Sequence, residues 1–383
     1  MFYQLPPVGN RVWLGGTGNN GIQLDRLFNP CTPRFFSSGT AALAASVAAC
    51  VKRKDVADPQ VILPAYGCPD LVSAVEFAGA RPVLVDLEAE RPWMDLEQVT
   101  ARLSDNTVAV IAASLCGIPE RLADLRRLLK PAGVYLVEDS AQLFPGRTED
   151  INWQGDFVVL SFGRGKPVNL LGGGAVLCAD EALLSLLPEL PAPPSGTLAR
   201  IAYPLKAFLY NRLLSPRVYW SIKYLPFLHV GETCYHRLES IGPLDAPRRA
   251  YLERNCVHYL EQTSGNRQLY GELCASLSDE RVIDLPGACE VPAGSHLLRY
   301  PLLLQPPLRQ QVHAQLTAAG LGSSLMYPVT LPNIPGLETL LAGQGPFPAA
   351  EDFARRLLTL PTHAQLRRAD RQEIITRLRA ACG

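Results

Sequence analysis

One lysine in this chain of 383 residues stands at the end of an apolar strand, where it could do chemistry. Lys166 closes the stretch SFGRGK (residues 161–166), which overlaps a predicted strand at 157–162. A buried amine is costly unless it is paired or chemically used. A Schiff base with an aldehyde removes its charge and keeps its nitrogen placed for proton transfer. Taken alone, the motif favours a lysine in a surface loop.

Two further segments carry groups that suit a phosphate. The turn SSGTAAL (residues 37–43) leads Ser38, Gly39 and Thr40 into a predicted helix. The exposed amides and positive end of such a helix suit a phosphate monoester. An ordinary helix cap is the favoured interpretation of this turn alone. Ser161, five residues before Lys166, could reach the same phosphate.

A carboxylate ends another predicted strand. Asp139, in VEDSAQ (residues 137–142), must point from the sheet edge into the crevice, where it can hold a pyridine nitrogen protonated and make the ring an electron sink. Strand alternation turns Glu138 the opposite way. A structural aspartate that caps the next helix is the alternative. With the triple glycine at 172–174, which allows a sharp turn, these motifs indicate a pyridoxal phosphate (PLP) site.

The elements that must position these residues alternate between short apolar runs and helical patterns from about residue 38 to residue 180. This alternation is typical of an α/β domain with a mostly parallel sheet, whose ligands sit at the carboxyl ends of the strands. The predicted strands are residues 61–63, 82–85, 108–112, 134–137, 157–162 and 174–178, and the predicted helices include 40–52, 70–78 and 119–129.

A smaller α+β unit is predicted from about residue 240. The sequence therefore predicts a large domain over 1–240 and a small C-terminal domain over 241–383. The predicted elements of the second unit are a helix at 247–277, a strand at 297–304, a helix at 307–319, a strand at 323–327 and two final helices.

An insertion at about 187–231 interrupts the large domain. From residue 200 to residue 231 it holds five basic residues and no acidic one, interleaved with aromatic residues that include Tyr224 and Phe227. A basic amphipathic surface for a membrane or an apolar ligand is one interpretation. A helical insertion packed over the core or at a dimer seam is the favoured one.

The ordered motifs resemble a known family. The segments SSGTAAL, ILPAY, RPVLVD, VYLVEDSAQ, DFVVLSFGRGK and GGGAV, with RYP, GSSLMYP and LTLPTH near the C-terminal end, are similar to those of the DegT/DnrJ/EryC1/StrS family of sugar aminotransferases. The resemblance spans nearly the whole chain. It implies the PLP fold type I (aspartate-aminotransferase-like), with a large, mostly parallel sheet domain and a smaller C-terminal α+β domain.

The resemblance also implies a role for each matching residue. Lys166 matches the Schiff-base lysine, Asp139 the partner of the pyridine nitrogen and Gln142 the amide near the cofactor ring. Ser161 matches the side-chain phosphate ligand, and residues 39–40 match the phosphate-binding turn. Some members of the family replace the lysine with histidine and act as dehydratases, so Lys166 favours transamination.

Several positions depart from the family pattern. Cys68 stands at the usual ring-stacking position, which makes Tyr66 an alternative stacking residue. Ser114 and Thr330 replace two family histidines, and the Asn-Tyr-Arg motif that a neighbouring subunit often contributes is not recognisable near residues 235–237. These changes leave the cofactor half of the site intact and alter the substrate half.

Composition and charge limit the classes of partner that we expect for this chain. Lys plus Arg equals Asp plus Glu at 36 each, so the net charge gives no reason to expect nucleic acid. The ten scattered cysteines, without a CxxC pair, indicate reduced thiols, and the six histidines show no metal-ligand spacing, so we expect no metal. No secretory signal or spanning segment is recognisable, which makes the cytoplasm the default location.

The leading hypothesis is a homodimeric, PLP-dependent aminotransferase in polysaccharide or glycoconjugate biosynthesis. It moves an amino group from an amino acid, usually glutamate, to a keto sugar carried by a nucleotide. Its partners are small-molecule substrates and a second subunit, and contact with a membrane surface is the less favoured addition. A transaminase of a non-nucleotide aldehyde or keto compound is the second hypothesis, and a non-catalytic scaffold with the PLP fold is the third.

Overall fold

The fold is that of a computed structural model, which describes residues 3–16, 24–147, 151–193, 196–223, 233–262, 265–277 and 281–382. Parts of the predicted insertion, residues 194–195 and 224–231, lie outside the described residues, and with them Tyr224 and Phe227. None of the described helices combines enough length with enough apolar character to cross a membrane.

A seven-stranded sheet forms the centre of the first part of the chain. Its strands are β1 (Thr32–Phe36), β2 (Gln60–Pro64), β3 (Arg81–Val85), β4 (Thr107–Ala113), β5 (Tyr135–Asp139), β6 (Phe157–Ser161) and β7 (Gly174–Cys178). Their order is β1-β7-β6-β5-β4-β2-β3. Strands β2 to β6 run parallel, and β7 is antiparallel to both of its neighbours. The parallel strands are nearly continuous apolar runs because helices cover the sheet.

Helices surround this sheet, and the second of them approaches the site. They are α1 (Leu24–Phe28), α2 (Gly39–Lys54), α3 (Asp70–Phe77), α4 (Leu96–Arg102), α5 (Leu122–Leu129), α6 (Glu181–Leu184), α7 (Thr197–Leu213), α8 (Pro216–Lys223) and α9 (Ala246–Leu260). Helix α2 is rich in alanine and largely buried, so it packs closely on the sheet. The Ser38 side chain caps it by accepting a hydrogen bond from the Ala41 amide.

A three-stranded antiparallel sheet organises the C-terminal part, in the order β10-β9-β8. Its strands are β8 (Val282–Asp284), β9 (Arg299–Leu304) and β10 (Leu357–Pro361), and its helices are α10 (Gly265–Ser276), α11 (Leu285–Ala288), α12 (Pro306–Ala318), α13 (Pro348–Arg356) and α14 (Arg368–Cys382). The predicted fold class, a large mostly parallel sheet with a smaller α+β part, is therefore confirmed.

Two predicted elements of the C-terminal part are wrong. The single helix at 247–277 is two helices, α9 and α10, since α9 ends at Leu260 and residues 261–262 after it form a turn and a bend. The strand at 323–327 is a single bridge between Ser324 and Thr359. Tyr327 adopts a positive φ of 45° and Pro328 follows it, so the extended conformation cannot continue.

The first described residues of the chain contact the C-terminal part. The Leu5 amide donates to the Gly320 carbonyl at 2.8 Å, and the Tyr3 hydroxyl donates to Asp370 at 2.7 Å. Helix α9, in turn, packs against the large sheet through Leu252 and Cys256. The N-terminal segment therefore contacts the C-terminal part, and α9 of the predicted C-terminal domain packs on the large sheet. The division into 1–240 and 241–383 stays a prediction.

Candidate active site

A cavity lies at the carboxyl ends of the parallel strands, as the strand pattern predicts. Strands β2, β4, β5 and β6 all end at its wall, and α2 begins there. Eight of the nine predicted site residues line it together: Gly39, Thr40, Tyr66, Cys68, Asp139, Gln142, Ser161 and Lys166. The ninth, Ser38, lies directly before α2 and caps it, so its side chain is already used.

The start of α2 and the end of β6 meet at one end of the cavity. A Cβ added to Gly39 would come within 2.6 Å of both Cβ and Oγ of Ser161, so only glycine allows this approach. The amides of the first turn, at residues 39–40, have no carbonyl of their own helix to bind. The pair offers amide and hydroxyl donors together at the positive end of a helix, which fits a phosphate monoester.

Thr40 has a side-chain partner at the same end. Its hydroxyl donates to the Asp70 carboxylate at 2.9 Å, and Asp70, the first residue of α3, also lines the cavity. The sequence interpretation did not include Asp70. Its only sequence signal is its position at the start of a predicted helix, where an acidic residue is common for structural reasons.

Asp139 ends β5 with its carboxylate in the cavity, and Glu138 lies on the opposite side as strand alternation predicts. Burial raises the pKa of Asp139, while the positive charge of Lys166 and a 3.0 Å hydrogen bond from the Ala141 amide act in the opposite direction. Glu138 is fully engaged elsewhere, since its carboxylate accepts from the Ser140 hydroxyl and from the amides of residues 154–155.

Lys166 follows β6 through a tight turn. Its amide donates to the Gly163 carbonyl at 3.3 Å, and Gly165 takes a positive φ of 71°. Asn10, from the N-terminal segment, donates to the Lys166 carbonyl at 3.0 Å and fixes the backbone. The side chain therefore extends into the cavity from an anchored backbone, on the same side as Asp139.

The Gln142 side chain lies in the cavity wall, where it is hydrogen-bonded at both its oxygen and its nitrogen. The Gln142 Oε1 accepts from the Cys116 amide at 3.0 Å, and its Nε2 donates to the Tyr327 hydroxyl at 3.2 Å. The Tyr327 hydroxyl also interacts with the Cys68 thiol, whose pKa burial raises to about 11. The thiol is therefore protonated at neutral pH and is a poor nucleophile.

Tyr66 packs between the two parts of the chain. Its hydroxyl donates to the Met326 carbonyl, and its ring lies edge-on to the rings of Tyr327 and Phe353, with centroids 5.9 Å and 5.1 Å away. The side chain is only 3% exposed. Its stacking on a cofactor ring stays a prediction, and the contacts with Tyr327 and Phe353 already cover much of the ring surface.

The two positions that replace family histidines are not equivalent. Ser114 lines the cavity, and its amide donates to the Asp139 carbonyl at 2.9 Å. Thr330 is buried at 2% exposure and accepts a hydrogen bond from the Asn333 side chain. Ser114 is therefore placed to contact a ligand, whereas the Thr330 side chain supports a local turn.

Comparison with known proteins decides the family. The sequence matches the model of the DegT/DnrJ/EryC1/StrS aminotransferase family over residues 35–192 and 257–379, which together make up well over half of the chain. The chain belongs to this family. The predicted family and the predicted enzyme class, an aminotransferase, are both confirmed.

Named relatives agree with this membership of the DegT/DnrJ/EryC1/StrS family. The UDP-N-acetyl-3-dehydro-alpha-D-glucosamine 3-aminotransferase of Acidithiobacillus ferrooxidans is 26% identical over 84% of this chain and 77% of its own length. A family member from Brucella abortus has a similar structure, with a TM-score of 0.68, 22% identity and coverage of 94% and 88% of the two chains. A sugar aminotransferase of Streptococcus pneumoniae in its PLP form gives a TM-score of 0.68, 18% identity and 99% coverage of both.

Proposed function

We propose that this aminotransferase moves an amino group from an amino acid, with glutamate as the donor, to the keto carbon of a nucleotide-linked sugar. The observation that carries the proposal is the meeting of Lys166, Asp139, Ser161 and the start of α2 in one cavity. The relative from Acidithiobacillus ferrooxidans, a 3-aminotransferase of a UDP-linked keto sugar by name, supports the substrate class.

The donor set of the cavity fits pyridoxal phosphate as the cofactor. Ser161 and the amides at residues 39–40 would hold its phosphate, and Asp139 would face its pyridine nitrogen. Lys166 would bind its aldehyde carbon as a Schiff base. When bound, the cofactor supplies an electron sink for the charge that develops at the substrate carbon.

Three residues of the chain would carry out proton transfer and position the cofactor. The Lys166 amine would take a proton from the substrate carbon of the amino donor and would give a proton to the carbon of the keto substrate that receives the amino group. The Asp139 carboxylate would hold the pyridine nitrogen of the cofactor protonated. Gln142, held by the Cys116 amide and by Tyr327, would offer its amide to the cofactor ring.

A homodimer completes the proposal. In the family that this chain resembles, a neighbouring subunit often contributes an Asn-Tyr-Arg motif to the site, and in this chain that motif is not recognisable near residues 235–237. Analytical ultracentrifugation of the PLP-loaded protein tests this part, and a monomer with full activity would contradict it.

The first prediction concerns Lys166. The purified protein should show the visible absorbance band of bound PLP, and Lys166→Ala should lose that band and at least about a hundredfold of its amino transfer from glutamate. Lys130→Ala removes an exposed lysine and is the matched control. An unchanged band in Lys166→Ala would contradict the assignment.

The substrate class needs its own measurement. Once glutamate has loaded the cofactor with an amino group, nucleotide-linked keto sugars should discharge it and free aldehydes should not. Ser114, which replaces a family histidine and lines the cavity, makes this panel necessary, since its small side chain leaves room for other carbonyl compounds. Discharge by free aldehydes alone would support the second hypothesis, a transaminase of non-nucleotide carbonyl substrates.

A further inference from the structure

Helix α7 carries an apolar stripe on its solvent side. Its members recur at helical spacing, so they lie on one face over the full length of the helix, and their exposed fractions run from 46% at Leu213 to 85% at Leu198. Soluble proteins rarely leave so long a stripe uncovered. The stripe consists of Leu198, Ile201, Leu205, Phe208, Leu209 and Leu213.

The opposite side of α7 is firmly attached to the protein. Tyr203 and Ala207 are buried, and the Tyr203 hydroxyl donates to the Leu170 carbonyl at 3.1 Å. The Asn211 side chain forms two hydrogen bonds with the backbone of Val12, at 2.9 Å and 2.8 Å. The outward direction of the stripe is therefore fixed by packing on the inward side.

Basic residues accompany the stripe. Arg200, Lys206, Arg212 and Arg217 are all exposed, and residues 196–223 contain no acidic residue. The chain as a whole has a formal net charge of zero, so this positive surface is a local concentration. An apolar face with basic residues beside it matches the pattern of a helix that lies in a membrane interface.

We propose that α7 docks this aminotransferase on an anionic membrane surface, with the apolar stripe buried at the level of the lipid headgroups. Its 17 residues are short of a typical span, which is consistent with a helix lying in the plane of the interface. A second copy of this chain is less favoured as the partner that covers the stripe. A symmetric contact through the same face would bring the basic residues of both copies together, and like charges repel. Anionic headgroups complement the same charges.

The experiment is co-sedimentation of the PLP-loaded protein with vesicles. We expect binding to vesicles of phosphatidylcholine mixed with phosphatidylglycerol, weaker binding to phosphatidylcholine alone, and loss of binding at high salt. The variant Leu205→Ser with Phe208→Ser should bind at least about tenfold more weakly. The variant Lys206→Gln with Arg212→Gln, which removes the two exposed basic side chains nearest the stripe by helical spacing, should lose a similar factor on anionic vesicles only.

Matched controls separate the stripe from general surface effects. Phe77→Ser with Leu340→Ser removes two exposed apolar side chains elsewhere, and Arg102→Gln with Lys130→Gln removes two exposed basic ones. Both controls should bind vesicles like the parent. The proposal is overturned if the parent does not bind anionic vesicles, or if Leu205→Ser with Phe208→Ser binds them unchanged. Dissociation of a dimer by that variant, without vesicle binding by the parent, would assign the stripe to a second copy instead.

Discussion

At Gly39 the absence of a side chain lets α2 approach Ser161. We predict that Gly39→Ala raises the dissociation constant for PLP at least about tenfold, because the new Cβ would displace either the helix end or the Ser161 side chain. Titration of the apoprotein, followed by absorbance, measures the constant. Gly196→Ala, where nothing lies near the new Cβ, is the control and should bind PLP normally.

Tyr327 is a site residue that the sequence interpretation missed. Its positive φ brings the hydroxyl to Gln142 and to Cys68, and a non-glycine residue in this conformation is uncommon. We predict that Tyr327→Phe lowers kcat/KM about tenfold, since the Gln142 amide loses a hydrogen-bond acceptor. Steady-state kinetics with a retained PLP band would show the effect, and unchanged kinetics would limit Tyr327 to a packing role.

At the scale of elements, Asp86 joins the edge of the large sheet to helix α13 of the C-terminal part. It follows β3, and its carboxylate accepts hydrogen bonds from the amides of Ala349 and Ala350 in the first turn of α13, at 3.0 Å and 2.7 Å. We predict that Asp86→Ala lowers the free energy of unfolding by about 2–4 kcal/mol, because two buried helix amides lose their partner. Urea denaturation measures it. Asp58→Ala breaks only an exposed ion pair with Arg81 and should cost less than about 1 kcal/mol.

The sequence predicts most strands of the large sheet from local pattern alone. The six central strands are apolar runs between helical patterns, and each lies within about two residues of its predicted place. Strand β1 was missed because its burial alternates weakly and it contains Pro33. Strand β10 was missed because it follows α13 without a turn, so an apolar run after a helix gave no boundary.

The site was more predictable than its surroundings. Residues at strand ends, such as Asp139 and Lys166, were found because the strand period fixes which side chains reach the sheet edge. Tyr327 and Asp70 come from a turn and a helix start, and their approach to the cavity depends on tertiary packing. No local pattern in the sequence specifies that packing.

At the scale of the whole molecule, the N-terminal segment is held by a buried histidine. The His363 Nε2 hydrogen-bonds the Pro6 carbonyl at 2.9 Å, and burial lowers the pKa of His363 to about 4. Between pH 6.5 and 4 the unfolded chain binds a proton at this residue that the folded chain does not, so stability falls as the pH is lowered through this window.

This gives a prediction for acid stability. The contribution of His363 should amount to about 2 kcal/mol between pH 7 and pH 5. His363→Gln should therefore lose less of its free energy of unfolding over this interval than the parent. His236→Gln, at an exposed position, should follow the parent. Denaturant titrations at the two pH values test it, and parallel curves for His363→Gln and the parent would refute the assignment.

The position of Tyr66 has a mechanical consequence. Its hydroxyl donates to the Met326 carbonyl beside Tyr327, and its ring contacts Phe353 of α13, while its own backbone lies two residues after β2 of the large sheet. If the C-terminal part rotated toward the large sheet, Tyr327 would move with it, and the distance from its hydroxyl to the Gln142 amide would change. Closure over a substrate would in this way be transmitted to the amide beside the cofactor ring without any loop serving as a lid.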